Sequence, residues 1–500
     1  MSLIKNRKPA VDFVVTHQAP HLDEIVAIVL FGWNGASKYF LRNPKLETMK
    51  GDADLRNRVD ARSNAVQFGM GQGARSYNEY DPDGVRAENT CCTKLVAEDL
   101  GVADKPELQK LLAEVLRADT EGGQPHFSVA NILKTVHKHA EDAAHPMHAV
   151  RTLGFAKEWI YAMVSRERGD SPKGAPPKLA IEPLEKHIKP SANAKQRPVL
   201  RHIAIPVFAP LSELMKLWMV LEYGQRAFYG RQRPEIHAVT CEKDLGWLGG
   251  KDDVLFIGIA GGQFGPEVTV DEVAKALKVG KMRHLKQLLG IFRRFEQEPE
   301  KMEYLEFPNV IDALNTHGEM KPGDIWAEVK NVFDAYHLAG QAFNQGMDEE
   351  LERFRFENIG GIKVAFGNSD SPDAWARTRT TMGAKVHVQM NSRGNVIFML
   401  ADDVQDALLR PLAREVVKAE LALHQGINNG GVEPVLEQLE NTMENGGNLP
   451  GTPHWFYFKS GGHLLNGSTT HEEVPTKLTV TQIYQLVCRA VSEAFPAPSV

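Results

Sequence analysis

Apolar and polar positions along this chain switch repeatedly between the two periods that mark strands and helices. Phe13-Val14-Val15-Thr16 is a β-branched run entering a polar turn, which predicts a buried strand. Asp23 to Phe31 then predicts an apolar helix with two acids in its first turn, where the helix dipole favours them. A second strand, Ala65 to Met70, runs into Gly71-Gln72-Gly73, and helices are predicted near Thr90–Leu100, Glu107–Ala118, Phe127–His139 and His145–Arg168. Strands alternating with helices predict an α/β fold with a mostly parallel sheet.

Further along, residues 169–199 begin with a proline- and glycine-rich stretch and read as a linker. Strand, helix and strand patterns return at His202–Val207, Leu211–Tyr223 and Val254–Ile259. Residues 324–356 are proline-free and helically periodic, enough for a connecting rod of roughly 45–50 Å that ends at Gly360-Gly361. The last segment predicts strands at Ile362–Phe366, Lys385–Met390, Asn395–Leu400 and His454–Phe458, with helices at Pro372–Met382, 403–423 and 432–444. The expected organisation is a first domain over 1–168, the linker, a middle α/β segment over 200–323, a connecting helix over 324–360, and a C-terminal lobe over 361–500. One echo links the first two: Ala19-Pro20 precedes Gly69-Met70-Gly71 at nearly the spacing at which Ala209-Pro210 precedes Gly258-Ile259-Ala260. The middle segment would then be a degenerate copy stripped of ionisable groups, although chance accounts for the echo as well.

Composition narrows the classes. A net charge of −6 over 500 residues excludes a strongly basic nucleic-acid coat protein while leaving room for a local basic groove. Four cysteines without CxxC spacing cannot build a disulfide framework, and no apolar run approaches a membrane span. A cytoplasmic protein without membrane partners is expected; homo-oligomerisation stays open.

The densest chemistry is Thr16-His17-Gln18-Ala19-Pro20-His21-Leu22-Asp23-Glu24, directly after the first strand. Open α/β sheets place ligands at strand C-terminal ends. Two imidazoles and two carboxylates there suit Mn²⁺, Fe²⁺ or Zn²⁺, and equally suit a polar turn with an acid-capped helix.

This stretch resembles the first motif of the DHH phosphoesterase superfamily, in which a strand ends in Thr-His and acids follow. With His21 and Asp23 at those positions, it is most similar to the branch of metal-dependent hydrolases related to the melanocyte-proliferating-gene proteins. The resemblance implies that His17, His21 and Asp23 are metal ligands, with Asp119 completing a first metal position. It implies one or two divalent ions, manganese foremost and magnesium or zinc as alternatives, activating water for phosphodiester cleavage. His17, His21, Asp23 and Asp119 would thus be both catalytic and metal-binding. The next motif departs from the pattern: Asn78 stands where the relatives carry Asp, and Tyr80 where they carry His, with Glu79 and Asp81 as the acids nearby. Glu88, Asn89 and the helix from Cys91 match a further segment of that branch, with Cys91 and Cys92 read as core. Near the C-terminus, Lys459-Ser460-Gly461-Gly462-His463-Leu464-Leu465-Asn466 resembles the Gly-Gly-His motif of the DHH-associated domain. That implies a substrate-binding role for Gly461, Gly462, His463 and Asn466; a plain hairpin turn is the other reading.

Other features are weaker. Asn368–Asp373 opens a helix and would serve either as an anion site or as an ordinary cap, with Arg377, Arg379 and Arg393 nearby in sequence. Gly258–Gly262 lacks dinucleotide or P-loop spacing. His137, His139, His145 and His148 read as polar helix faces. The expected function is phosphodiester hydrolysis on short oligonucleotides or nucleotides, exonuclease-like. The alternative, resting on Asn78 and Tyr80, is an inactive relative that binds nucleic acid or a partner protein.

Overall fold

The computed structural model describes residues 10–38, 40–49, 62–71, 75–79, 87, 89–121, 124–140, 147–173, 200–225, 232–241, 244–245, 248, 253–260, 262–371, 373–425, 433–459, 461–466 and 475–495. The chain is α/β and divides into two compact units, Met1–Ala342 and Phe343–Val500.

In the first unit, β1 (Ala10–His17) leads through a polar turn into α1 (Leu22–Lys38), then β2 (Phe40–Met49), β3 (Ala65–Phe68) and β4 (Ser76–Tyr77). The parallel sheet has the order β2-β1-β3-β4. Four helices follow: α2 (Cys92–Leu100), α3 (Gln109–Thr120), α4 (Val129–His139) and α5 (His148–Arg168). The same series then recurs: β5 (His202–Pro206), α6 (Leu211–Tyr223), β6 (Glu235–Val239), β7 (Val254–Phe256), α7 (Val270–Ala276), α8 (Lys286–Gln297), α9 (Phe307–His317) and α10 (Pro322–Asn344). Its sheet is again parallel, ordered β6-β5-β7.

The correspondence reaches single hydrogen bonds. Asp12 and Phe13 N–H both donate to the Asn64 carbonyl, as Arg201 and His202 N–H both donate to that of Asp253. Gly69 N–H donates to Tyr77 O, and Gly258 N–H to Phe264 O. A short 3-10 turn precedes α3 and another precedes α8. The first unit is therefore one βα pattern present twice. The matched residues are Leu22-Asp23-Glu24 and Leu211-Ser212-Glu213, so the Ala-Pro echo runs one residue out of step. Nor is the second copy stripped of ionisable groups: Glu213 and Lys216 are buried within it.

The two copies share one core, with Phe127, Trp159, Trp218, Phe292, Phe307 and Phe333 in its interior. At the seam, Val129 N–H donates to Leu305 O at 2.9 Å and Phe307 N–H to Phe127 O at 3.1 Å, with the Phe127 and Phe307 rings edge to face at 5.7 Å. Ser128 and Glu306, the N-cap residues of α4 and α9, pair across this seam. Reciprocal contact between matching positions is the signature of an approximate two-fold axis. Truncating an aromatic here to Ala costs about 3–5 kcal/mol.

The expected rod over 324–356 is shorter than its periodicity suggested. α10 buries Ile325, Val329, Val332 and Phe333 in the shared core, so it is the last helix of the second copy. Gly346, at φ +65°, follows it, and after α11 (Met347–Leu351) the chain turns to β8 (Phe354–Ile359). Phe354 and Phe356 alternate with Arg355 and Glu357, the period 2 of a strand, which the helical reading of 324–356 passed over. Gly360 and Gly361, with φ of +56° and +83°, then make the tight turn that pairs β8 with β9 (Ile362–Asn368).

The second unit continues with α12 (Ala374–Met382), β10 (Val386–Met390), β11 (Val396–Leu400), α13 (Asp402–Gln425), α14 (Glu433–Asn445), β12 (Gly447–Leu449), β13 (Thr452–Phe458), β14 (His463–Leu465) and α15 (Val480–Ala494). Its mixed sheet runs β12-β13-β14-β11-β10-β9-β8, with a core built around Phe398, Trp455 and Leu486.

Candidate functional site

The site grows from the end of β1. Thr16 and His17 close the strand, and α1 begins within five residues, carrying Asp23 and Glu24 in its first turn. Both carboxylates are buried. Thr16 Oγ1 donates to Glu24 Oε2 at 2.5 Å, and His17 Nδ1–H donates to Glu24 Oε1 at 2.6 Å. A neutral His17 thereby carries its proton on Nδ1 and keeps the Nε2 lone pair, the tautomer that a metal ligand needs. Gly69 is what lets Glu24 sit there: it holds φ +66°, and a Cβ on it would fall 2.6 Å from Glu24 Oε1.

Asp23 is held from the other side. Its oxygens accept the N–H groups of Cys92 at 2.8 Å and Thr93 at 2.7 Å, so it caps α2 across the fold, not its own helix. Burial raises the Asp23 carboxyl above its ordinary range, and the neighbouring Asp119 raises it further, against the Thr93 bonds that lower it. Cys91 and Cys92 are buried core residues, and burial pushes both thiols up.

A cavity of about 340 Å³ opens here, lined by His17, His21, Asp23, Glu24, Gly69, Glu79, Asp119, Lys134 and His137 among others. Ligand atoms of Asp23, Glu79 and Asp119 all lie within 4.8 Å of one another. Hard oxygen donors beside imidazoles suit Mn²⁺, Mg²⁺ or Zn²⁺, and a cation would offset the mutual repulsion of the carboxylates. The residues present therefore fit a divalent ion. His137 plays a different part. Its Nε2–H donates to the Pro20 carbonyl at 3.0 Å, its Nδ1 faces His148 Nε2 at 2.9 Å, and burial lowers its pKa to about 4. It is a neutral strut under the 18–21 turn.

His17, His21, Asp23 and Asp119 thus meet in one cavity although Asp119 comes from α3, far along the chain. Asn78 does not join them: its Nδ2 donates to the Gly71 carbonyl at 3.0 Å, and its neighbour Glu79 lines the cavity. The two-residue strand β4 ends at Tyr77, so strict alternation of faces no longer governs residue 79. Tyr80, Asp81 and Glu88 lie outside the described residues. Sequence reading also missed Lys134 and His137; their i, i+3 spacing, which puts them on one face of α4, was the available signal.

The C-terminal motif sits in the second unit. Gly461 and Gly462 turn β13 into β14, and Gly462 holds φ +65° against Gln405, whose Oε1 a Cβ would meet at 2.5 Å. His463 starts β14 with its pKa lowered by burial. Asn466 is fully buried; its Nδ2 donates to His454 O and its Oδ1 accepts from Thr476 N–H, so its amide braces the fold at both ends. Near Asn368–Asp373, Ser369 Oγ and the buried Arg377 both bond Glu350, and Asp370 accepts the Ser392 N–H.

In the second copy, the positions of His17, His21, Asp23, Glu24 and Asp119 hold Pro206, Pro210, Ser212, Glu213 and Glu296. Lys216, in the place of Ala27, donates to Glu213 Oε1 at 2.9 Å and to Gly265 O at 3.1 Å. Burial, with Glu296 and Glu267 adding like charge, outweighs this ammonium and lifts the Glu213 carboxyl to about 7. Gly258 again makes room for the acid, holding φ +66° with its Cβ position 2.8 Å from Glu213 Cγ.

No family model matches the chain, and no curated protein is significantly similar to it. Among the described residues, no helix is long and apolar enough to cross a membrane.

Proposed function

We propose that the first-copy cavity binds one or two divalent metal ions, manganese foremost, and that the protein hydrolyses phosphodiesters of short oligonucleotides or nucleotides in the manner of a DHH phosphoesterase. The observation that carries this reading is the convergence of Asp23, Glu79 and Asp119 within 4.8 Å, in a cavity that His17 and His21 also line. Glu79 supplies the anionic donor that Asn78 lacks.

When bound, the metal would neutralise charge on the phosphate and make water a better nucleophile near pH 7. The protein's own residues do the rest. Glu24 fixes the tautomer and tilt of His17, and Thr16 fixes Glu24. The Cys92 and Thr93 N–H groups hold Asp23 in one orientation, so the donors are arranged before a ligand arrives. Lys134 offers a cation in the same cavity for a phosphate oxygen. His137 is already engaged at both nitrogens and is neutral, so it steadies the Pro20 turn without transferring a proton.

The test is hydrolysis of a short oligonucleotide and of a simple aryl phosphodiester by metal-stripped protein to which Mn²⁺ is returned. Restored activity that Asp119→Asn and Glu79→Gln both remove, with far-UV circular dichroism unchanged, is expected. Absence of metal-dependent hydrolysis in the wild type, or full activity in both variants, would overturn the reading.

A further inference from the structure

The second copy contains a cluster with no counterpart in the first. His202 opens β5 and Glu235 opens β6; they are register partners in parallel strands, and His237 lies two residues along β6, on the same face as Glu235. His202 Nδ1 and His237 Nε2 are 2.9 Å apart, and Glu235 Oε2 lies 3.7 Å from the first and 3.6 Å from the second. The equivalent first-copy positions hold Phe13, Lys45 and Glu47, which cannot chelate. There Glu47 pairs with Arg62 instead.

These three distances have a simple consequence. The circle through the three atoms has a radius of about 2.0 Å, which is the length of a zinc–nitrogen or zinc–oxygen bond. An ion just above the plane of the triangle would lie at bonding distance from all three atoms once the two rings rotate to turn their facing nitrogens from each other towards it. The rings are largely buried, at 18% and 17% side-chain exposure, whereas Glu235 is 68% exposed and can adjust. One ring now donates its N–H to the other. On binding, that ring takes its other tautomer, its proton moves to the outer nitrogen, and both facing nitrogens present lone pairs. Two imidazoles and one carboxylate favour zinc-class ions over Mg²⁺ or Ca²⁺.

We propose that His202, His237 and Glu235 form a second metal site of the zinc class, independent of the first-copy cavity. It would tie β6, an edge strand of the described sheet, to β5, and leave a fourth position for water or an incoming donor. The site lies at the N-terminal ends of its strands, opposite to where Glu213 and Gly258 sit.

The test uses the full chain, stripped with chelator and titrated with Zn²⁺ alone, then with Co²⁺ as a spectroscopic stand-in. Wild type should bind one zinc equivalent more than His237→Gln or His202→Gln, and its Co²⁺ form should show the intense visible bands of four-coordination. Glu235→Gln should weaken that equivalent by about tenfold or more. Asp119→Asn should retain it, which separates this site from the first-copy cavity. Equal zinc stoichiometry and affinity in wild type, His202→Gln and His237→Gln would overturn the proposal, as would a bound ion whose X-ray absorption shows no imidazole.

Discussion

The two copies in the first unit solve the same steric problem with opposite chemistry. In each, a glycine with φ +66° ends a strand and allows a buried glutamate to press against the backbone. In the first copy that glutamate, Glu24, orients His17 at the edge of a cavity where three carboxylates gather. In the second, Glu213 is met by Lys216, so the positive charge is part of the chain. The first copy has Ala27 at that position, a buried side chain that carries no charge. The lesson is that a duplicated fold keeps its close-packed glycine–glutamate contact under either charge arrangement. What separates the two copies is the replacement of Asp23 by Ser212 and of Ala27 by Lys216 on the first helix, of Asp119 by Glu296, and of two histidines by prolines.

The comparison breaks most decisively on paired substitutions at matching positions. Asp119→Asn should reduce metal-dependent hydrolysis to background, whereas Glu296→Gln, its counterpart, should leave the rate unchanged; equal losses would show that the second copy takes part in chemistry. Next in size is Lys216→Met. Removing one partner of a buried pair costs about 3–5 kcal/mol, read as a shift in the urea midpoint, and the loss should be larger at pH 8 than at pH 5 because Glu213 can take up a proton.

The pH dependence of the wild type sharpens the same point. The Glu213 carboxyl sits at about 7 in the folded chain against an ordinary 4.5, so the native state binds that proton more tightly. Its contribution, up to about 3 kcal/mol, is full below about pH 4.5 and fades as pH rises through about 7. Glu213→Gln should flatten this part of the stability profile, measured by denaturation at successive pH values. Glu24→Gln should lower metal affinity or activity by about 10–100-fold, the usual cost of losing an outer partner of a ligating histidine. Asn78→Ala is the smallest, about 1 kcal/mol, the usual net worth of a hydrogen bond such as the one its amide donates to the Gly71 carbonyl.

Much of this was legible in the chain. The strand at Phe13–Thr16, the helix from Asp23 and the grouping of His17, His21 and Asp23 follow from local periodicity and spacing, because strand and helix faces are set by neighbours a few residues away. The alternation of strands and helices likewise determined the α/β class. The tertiary structure decided the rest. Asp119 meets Asp23 only because α3 packs back beside α1, and Asp23 turns out to cap α2, whose first residue lies far along the chain. Glu79, not Asn78, faces the cavity because β4 stops at Tyr77, a boundary set by pairing with β3. Phe354–Ile359 forms a strand by pairing with β9, and the alternation of Phe354 and Phe356 with polar residues was the short local signal that the longer helical periodicity before it obscured. The zinc-class triad of His202, Glu235 and His237 could not be read at all, since parallel strands align residues whose separation in sequence carries no period. Local sequence determines which face a side chain takes on its own element; which other side chains it meets there depends on contacts between distant segments, and those form only when the core closes.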